Sequence, residues 1–154
     1  MRAHGGRSAH GFTLLELLAT LAILGIVAAG GMLVWPRIEA ALRLEAGVHQ
    51  LAADLHDTRV FAIASASRAR LTFTRGGTSY RLEHADDDGS FRLATQRVLP
   101  RGVRIDDVNS GGDLVFSARG TAENGTVVLA DQRGVRASLR LNQRGRVTID
   151  RGRT

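Results

Sequence analysis

Glu16 is a carboxylate within an otherwise uncharged, mainly apolar run that extends from Phe12 to Val34. A charged side chain at the centre of a bilayer costs about 2.5–3.5 kcal/mol on insertion scales, so residues of this kind usually have a function. Pairing with a cation offsets part of that cost, whereas an unpaired buried carboxylate remains unfavourable. We therefore take Glu16 as a candidate functional residue.

Arginines near the C-terminus form a second candidate site. On a strand from Val135 to Leu141, alternation places Arg136 and Arg140 on one face and the apolar residues on the other. A strip of arginines could contact the phosphates of DNA, or could be a solvated face or a protein contact. No aromatic residue follows Phe116, so a platform for stacking bases is missing. The candidate DNA-binding residues are Arg136, Arg140, Arg146, Arg151 and Arg153, flanked by Arg133 and Arg144.

No other group of side chains predicts catalysis or metal binding. Asp86-Asp87-Asp88-Gly89 lacks the spaced ligands of a calcium loop, and we interpret it as a solvated hairpin turn. The chain has no cysteine, and no serine has an obvious base partner. The histidines do not have metal-ligand spacing; they are His4, His10, His49, His56 and His84. We predict that the protein is not an enzyme and binds no cofactor or metal.

The basic charge of the chain comes from arginine alone. The formal net charge is +6, with no lysine among the 154 residues. Arg2 and Arg7 precede Gly11, so removal of residues 1–11 would leave 6 − 2 = +4. This balance is compatible with nucleic acid or an acidic membrane surface as a partner. Exclusive use of arginine is also typical of a GC-rich genome.

The apolar run has the length of a membrane-spanning helix. Residues 12–34 would span roughly 34 Å at about 1.5 Å per residue, which matches a hydrocarbon core of roughly 30 Å. Arg2 and Arg7 precede the run and the next positive charge is Arg37, so the N-terminus is expected in the cytoplasm. A secretory signal peptide would have a shorter apolar segment and a small-x-small cleavage site. A simple anchor would not explain the carboxylate.

The pattern after Pro36 changes from helical to strand-like near Ser67. Apolar residues at spacings of three and four indicate that the helix continues past the proline as an amphipathic half that ends near Ser67. Alternation and turn residues then predict a series of strands. These are Arg70–Thr74, Ser79–Glu83, Phe91–Leu99, Val103–Asp107, Asp113–Ser117, Thr126–Ala130, Val135–Leu141 and Arg146–Ile149. The predicted fold class is α+β, with one long N-terminal helix packed on antiparallel β-sheets.

The segment Gly11-Phe12-Thr13-Leu14-Leu15-Glu16-Leu17 resembles the prepilin processing motif of type IV pilins and type II secretion pseudopilins. The resemblance implies that a membrane peptidase cleaves after Gly11 and methylates the new N-terminal Phe12. It also implies assembly into a fibre, in which Glu16 of one subunit pairs with the Phe12 ammonium of a neighbour.

The remainder of the chain resembles the GspH/FimT group of minor pilins. The GspH branch belongs to type II secretion, whereas some members of the FimT branch bind DNA for uptake. Those members have a second arginine where this chain has Thr148, and many FimT proteins have cysteines that this chain lacks. We therefore favour the GspH branch and keep DNA uptake as the alternative. The residues that carry the resemblance are Leu51-Ala52-Ala53-Asp54-Leu55, Arg59-Val60-Phe61-Ala62-Ile63-Ala64, Tyr80-Arg81-Leu82, Phe116, Gly120, Gly125-Thr126-Val127-Val128-Leu129 and Gly145-Arg146-Val147-Thr148-Ile149.

The resemblance implies a single-pass protein of the bacterial inner membrane, with a cytoplasmic N-terminus before processing and a periplasmic C-terminal domain. The predicted segments are a prepilin leader at 1–11, a transmembrane helix at 12–35, its amphipathic continuation at 36–67 and a β-rich domain at 68–154. The implied function is that of a minor pseudopilin in a short periplasmic fibre that drives export of folded proteins. The expected partners are the prepilin peptidase and other pseudopilins or pilins, with DNA as the alternative.

Overall fold

The computed structural model describes residues 13–152, except for the side chains of Met32 and Leu33. One helix, α1 (Leu14–Ala64), is followed by eight strands, as the sequence pattern predicts. The chain divides into two compact units at the bond between Ile38 and Glu39.

The first unit contains the part of α1 that ends at Ile38. Leu14, Leu15 and Leu24 are among its exposed side chains. Pro36 lies inside α1, and the helix assignment continues through it. Proline removes one backbone donor and is therefore expected to kink or restart a helix. Here the flanking turns on both sides remain helical.

The second unit contains two four-stranded antiparallel sheets. The first sheet has the strand order β3-β2-β1-β5, and the second has the order β4-β6-β7-β8. The ends of each strand lie within two residues of the predicted bounds. The strands are β1 (Ala69–Phe73), β2 (Ser79–Ala85), β3 (Phe91–Val98), β4 (Arg104–Val108), β5 (Asp113–Phe116), β6 (Gly125–Ala130), β7 (Arg136–Leu141) and β8 (Val147–Arg151).

One hydrophobic core joins α1 to both sheets. Helix residues at spacings of three and four lie on the same face, and this face supplies Val48, Leu51 and Leu55 to the core. Gly47 packs against the connection between β3 and β4, where a Cβ would be in van der Waals contact with side-chain atoms of Pro100 and Val103 at 3.4 Å. The sheets supply alternate residues of their strands, among them Leu71, Leu82, Leu114, Phe116, Val127, Leu129, Leu139 and Leu141.

A polar network also connects α1 to the first sheet. The Tyr80 hydroxyl donates to Asp54 Oδ2 at 2.5 Å, and Gln50 Nε2 donates to the carbonyl of Val98 at 3.0 Å. Arg97 Nε lies 3.5 Å from the same Asp54 oxygen. Burial, together with the bond to Asp54, raises the pKa of the Tyr80 hydroxyl, which therefore stays protonated and donates at neutral pH. A satisfied polar network of this kind fixes the helix in one position on the sheet.

The C-terminal end of α1 at Ala64 lies three residues before the predicted end at Ser67. The Ser67 amide donates to the Ala62 carbonyl at 3.2 Å, and the Ala66 amide donates to the Ile63 carbonyl at 3.3 Å. Ala66 has a φ of 50°, the left-handed conformation that completes a Schellman motif. The sequence did not indicate this end because alanine occupies a position that glycine usually takes.

Candidate functional sites

Thr13 and Glu16 form the N-terminal end of α1. The Glu16 amide donates to Thr13 Oγ1 at 3.2 Å, so the threonine caps the helix. Glu16 lies in the first turn, where a negative charge is favourable because that end of the helix dipole is positive. Thr-x-x-Glu is the spacing of a capping box. This local pattern in the sequence already indicates that a helix begins here. The glutamate therefore has a place in the local structure as well as any role in assembly.

Glu16 is the only charged residue of α1 before Arg37. Glu16 is exposed, and none of the residues from 13 to 152 forms an ion pair with it. The Thr20 hydroxyl donates to the Leu17 carbonyl at 2.8 Å, so it would be satisfied in lipid. An 18-residue window of α1 has a mean hydropathy of 2.4 and no buried residue. By length and composition, α1 can cross a membrane.

The predicted cleavage site lies outside the described residues. Gly11, Phe12 and the leader at residues 1–11 precede Thr13, the first residue that the structure describes. Cleavage after Gly11 and methylation of Phe12 therefore stay predictions.

Arg136 and Arg140 lie on the same outward face of β7, as the alternation predicts. Both are exposed, whereas Ala137 and Leu139 beside them are buried. Arg136 Nε lies 2.8 Å from a carboxylate oxygen of Asp106, so part of its charge is compensated. Arg140 forms no ion pair with any residue in the described range 13–152.

Arg151 does not belong to this arginine strip. It stands opposite Ala137 in the ladder between β7 and β8, so it lies on the face opposite to Arg136 and Arg140. Its Nε donates to Glu45 Oε2 of α1 at 3.1 Å, within an ion pair. This hydrogen bond lowers the pKa of the Glu45 carboxyl. Register and helix packing therefore place Arg151 towards α1, apart from the arginines with which it was grouped as a candidate DNA-binding residue.

Arg146 lies in the turn before β8, whereas the sequence predicted that it begins the strand. The amides of Arg144 and Arg146 both donate to Asn142 Oδ1 at 3.0 Å, which closes the turn between β7 and β8. Strand β8 begins at Val147. Arg153 lies outside the described residues.

Carboxylates share the outward face of the second sheet with the arginines. Asp150 stands opposite Ser138, the residue between Arg136 and Arg140 on that face. Asp107 stands opposite Val128, which in turn pairs with Ser138. The face is therefore of mixed charge, and a polyanion would meet carboxylates beside the arginines.

The acidic segment Asp86–Asp88 forms the turn between β2 and β3, as predicted. Asp88 Oδ1 accepts hydrogen bonds from the amide of Ser90 at 2.8 Å and from its hydroxyl at 2.6 Å. The bonds from Ser90 lower the pKa of the Asp88 carboxyl. Asp86 pairs with Arg92 across the hairpin. Within residues 13–152, no group of three or more histidine, aspartate or glutamate side chains could hold a metal ion.

Sequence comparisons place two known families along the chain. Residues 6–32 match the prokaryotic N-terminal methylation motif. Residues 47–151 match the family of type II transport protein GspH. A comparison with curated protein sequences gave no match.

Solved structures with the same fold include a minor pseudopilin, a GspH protein and a minor pilin. The minor pseudopilin EpsH from the type 2 secretion system of Vibrio cholerae is 12% identical, with 71% of this chain and 97% of that chain covered and a TM-score of 0.61. GspH from E. coli is 15% identical, with coverages of 73% and 90% and a TM-score of 0.59. The Pseudomonas aeruginosa type IV minor pilin FimU is 18% identical, with coverages of 70% and 87% and a TM-score of 0.57. These likenesses confirm the predicted fold.

Proposed function

The chain belongs to the GspH family of type IV pilin-like pseudopilins, and we propose that it is a minor pseudopilin of a type II protein secretion system. The observation that carries the proposal is the order of the two matches. The GspH match at residues 47–151 covers most of the second unit, and the methylation motif at residues 6–32 precedes it. Proteins of this family are structural components of fibres, so the function rests on assembly and not on catalysis.

In the proposed mechanism, α1 anchors the subunit in the inner membrane and its second unit lies in the periplasm. Cleavage after Gly11 exposes the amino group of Phe12, which the peptidase methylates. As subunits join the fibre, the Phe12 ammonium of one subunit pairs with Glu16 of a neighbour. The exposure of Glu16 on an apolar helix, without an ion pair to residues 13–152, supports this role. An unmatched carboxylate is costly in lipid, so the pair would favour one register of assembly.

Deletion of the gene tests the assignment to type II secretion. We expect loss of secreted type II substrates from the culture medium and recovery on complementation with the unaltered gene. DNA uptake, measured in the same strains, is expected to remain unchanged. Normal secretion combined with loss of DNA uptake would contradict the proposal.

Mass spectrometry of the protein purified from membranes tests processing. The mature chain is expected to begin at Phe12 and to carry one additional methyl group on its amino terminus. A strain without prepilin peptidase should retain the chain from Met1 and serves as the control. An intact Met1 terminus in the unmodified strain would exclude the proposed processing.

DNA binding is a second candidate function, favoured by the shared exposed face of Arg136 and Arg140. A gel shift of the full-length protein with duplex DNA across salt concentrations tests it. If these arginines and Arg146 contact phosphates, their replacement should weaken binding and reduce the salt dependence by about one unit of slope per lost contact. Replacement of Arg101, an exposed arginine between β3 and β4, is the control. Equal loss in the control variant would indicate non-specific charge attraction.

A further inference from the structure

A polar cavity of about 490 Å³ lies on the outward face of the second sheet, at the end where β6 begins and β7 ends. This size is within the range of sites for small ligands or short peptide segments. None of the described residues that line the cavity is a carboxylate. The polar side chains around it are Asn109, Asn124, Thr126, Arg140, Asn142 and Thr148.

Strand register brings these side chains together from distant parts of the chain. Thr126, Arg140 and Thr148 stand directly opposite one another on β6, β7 and β8. Asn124 and Asn142 lie two residues from Thr126 and Arg140 respectively, so alternation places them on the same face. Side chains from three strands and their turns therefore surround the guanidinium of Arg140.

The hydrogen bonds of two asparagines determine what the cavity offers to a ligand. Asn109 Oδ1 accepts the Thr126 amide at 2.7 Å, and Asn142 Oδ1 accepts the amides of Arg144 and Arg146 at 3.0 Å. Each side-chain oxygen is therefore held by backbone donors, and each NH₂ group remains available to donate. Arg140 adds a guanidinium that forms no ion pair with residues 13–152, and it also lines the adjoining groove with Asp107 and Asp150. The cavity is consequently rich in donors and carries one positive charge.

We propose that this cavity binds a carboxylate of another polypeptide, either an acidic side chain or a free C-terminus. The guanidinium of Arg140 binds the carboxylate with charge-assisted hydrogen bonds, and the asparagine NH₂ groups donate to the backbone carbonyls beside it. Asp107 and Asp150 lie along the adjoining groove. A polyanion that extends beyond the cavity would be repelled by them, whereas a segment with a single negative charge would not.

NMR of the full-length protein in detergent tests the proposal. The experiment follows the side-chain amide signals of the protein as a probe is added. The probes are a capped Gly-Asp-Gly peptide, the matching capped Gly-Asn-Gly peptide, and an acetylated triglycine with a free C-terminus. Saturable shifts of the Asn109 and Asn142 amides are expected with a carboxylate probe and not with the neutral peptide. The probe that binds more tightly identifies the source of the carboxylate.

Arg140→Gln is expected to weaken binding of the carboxylate probe about tenfold or more, because charge-assisted hydrogen bonds are lost. Thr148→Val, which keeps the shape of the side chain, should weaken it by a smaller factor. Arg101→Gln removes an exposed arginine outside the cavity and should leave binding unchanged. All variants should retain the amide spectrum of the folded protein, since the substituted residues are exposed.

Three results would overturn the proposal. One is binding of both carboxylate probes no tighter than that of the neutral asparagine peptide, and another is equal weakening by Arg140→Gln and Arg101→Gln. The third is tighter binding of inorganic phosphate or duplex DNA than of either carboxylate peptide. The first two results do not depend on whether the protein serves secretion or DNA uptake.

Discussion

Glu16 and Asp131 are carboxylates with opposite surroundings. Glu16 lies exposed on an apolar helix and has no ion pair with residues 13–152. Asp131 is buried, and its Oδ1 accepts the amides of Arg133 and Val135 at 2.9 Å each, while Arg133 Nε donates to its Oδ2 at 3.2 Å. Hydrogen bonds and an ion pair within the chain therefore compensate for the burial of the Asp131 carboxylate. Glu16, in contrast, requires a cation from outside the described residues if it enters lipid.

Glu16→Gln is expected to leave the protein cleaved and inserted in the membrane but absent from fibres. The neutral amide has almost the same shape but cannot form an ion pair with an ammonium group. Membrane fractionation and analysis of sheared fibres measure the two properties. Glu39→Gln is the matched control, since Glu39 pairs with Arg43 one turn along the same helix. Incorporation of the Glu16→Gln protein at the normal level would refute the pairing mechanism.

The surroundings of Asp131 predict that the free energy of unfolding depends on pH. Burial opposes ionisation, but the bonds from the amides of Val135 and Arg133 and from the Arg133 side chain outweigh it. The pKa of Asp131 is therefore below its ordinary 3.8. A folded-state pKa below the unfolded-state pKa stabilises the fold at any pH above the unfolded-state pKa. This contribution is lost as the pH falls through the folded-state pKa.

Asp131→Asn should lower the unfolding free energy at neutral pH by about 1–2 kcal/mol, because an amide loses the ion pair but keeps an acceptor oxygen. The deficit is expected to shrink as the pH falls below 3.8, where the unfolded carboxyl of the unaltered protein binds a proton while the folded carboxyl is still ionised. Urea unfolding of both proteins at a series of pH values measures the difference in unfolding free energy. Asp57→Asn, at an exposed position of α1, should cause little change. A deficit independent of pH would indicate that the charge of Asp131 contributes nothing.

At the scale of elements, the end of α1 is set by backbone conformation and not by composition. The helix ends at Ala64 although the next three residues are serine, alanine and serine, and the first glycine after them is Gly76. The left-handed φ of 50° at Ala66 allows two hydrogen bonds to close the last turn. A residue with a Cβ is strained in this conformation, whereas glycine is not.

Ala66→Gly is therefore expected to raise the unfolding free energy by about 0.5–1 kcal/mol, since relief of strain exceeds the added freedom of the unfolded chain. Ala64→Gly, two residues earlier and still helical, should lower it by a similar amount because glycine is unfavourable within a helix. Denaturant unfolding of both variants measures the contrast. Destabilisation by both substitutions would show that the left-handed position carries no strain.

At the scale of the whole molecule, α1 is attached to the two sheets of the second unit by different means. The Tyr80–Asp54 hydrogen bond joins it to the first sheet in a buried network. The Glu45–Arg151 ion pair joins it to β8, which is an edge strand of the second sheet and pairs with β7. Edge strands with few neighbours open more readily than central strands.

Arg151→Gln should accelerate hydrogen exchange of the β8 amides and leave β1 and β2 unchanged. The substitution removes the ion pair that holds this edge against the helix, while the core beneath it remains. Exchange monitored by mass spectrometry or NMR gives the rates by strand. Arg75→Gln, which removes the exposed Arg75–Asp107 pair at another edge, is the control for loss of an arginine. Equal rates in β8 before and after Arg151→Gln would mean that the pair does not restrain the strand.

The amino-acid sequence by itself determined the elements and the N-terminal motif of this protein. The apolar run and the Gly11–Glu16 motif are features of adjacent residues, and strand alternation is visible over five or six positions. The strand bounds were therefore predicted within two residues, and the family was indicated before any contact was known. The actual end of α1 was missed because an alanine at Ala66 gives no local signal of a left-handed conformation.

Only the tertiary structure decided which side chains meet. Arg136 and Arg151 are both arginines on adjacent strands, yet register places one outward and the other against Glu45 of α1. The donor-rich cavity around Arg140 likewise depends on the alignment of β6, β7 and β8. Strand register and helix docking arise from contacts between residues far apart in the chain. Local spacing therefore predicts that a strand exists, but not what lies opposite it.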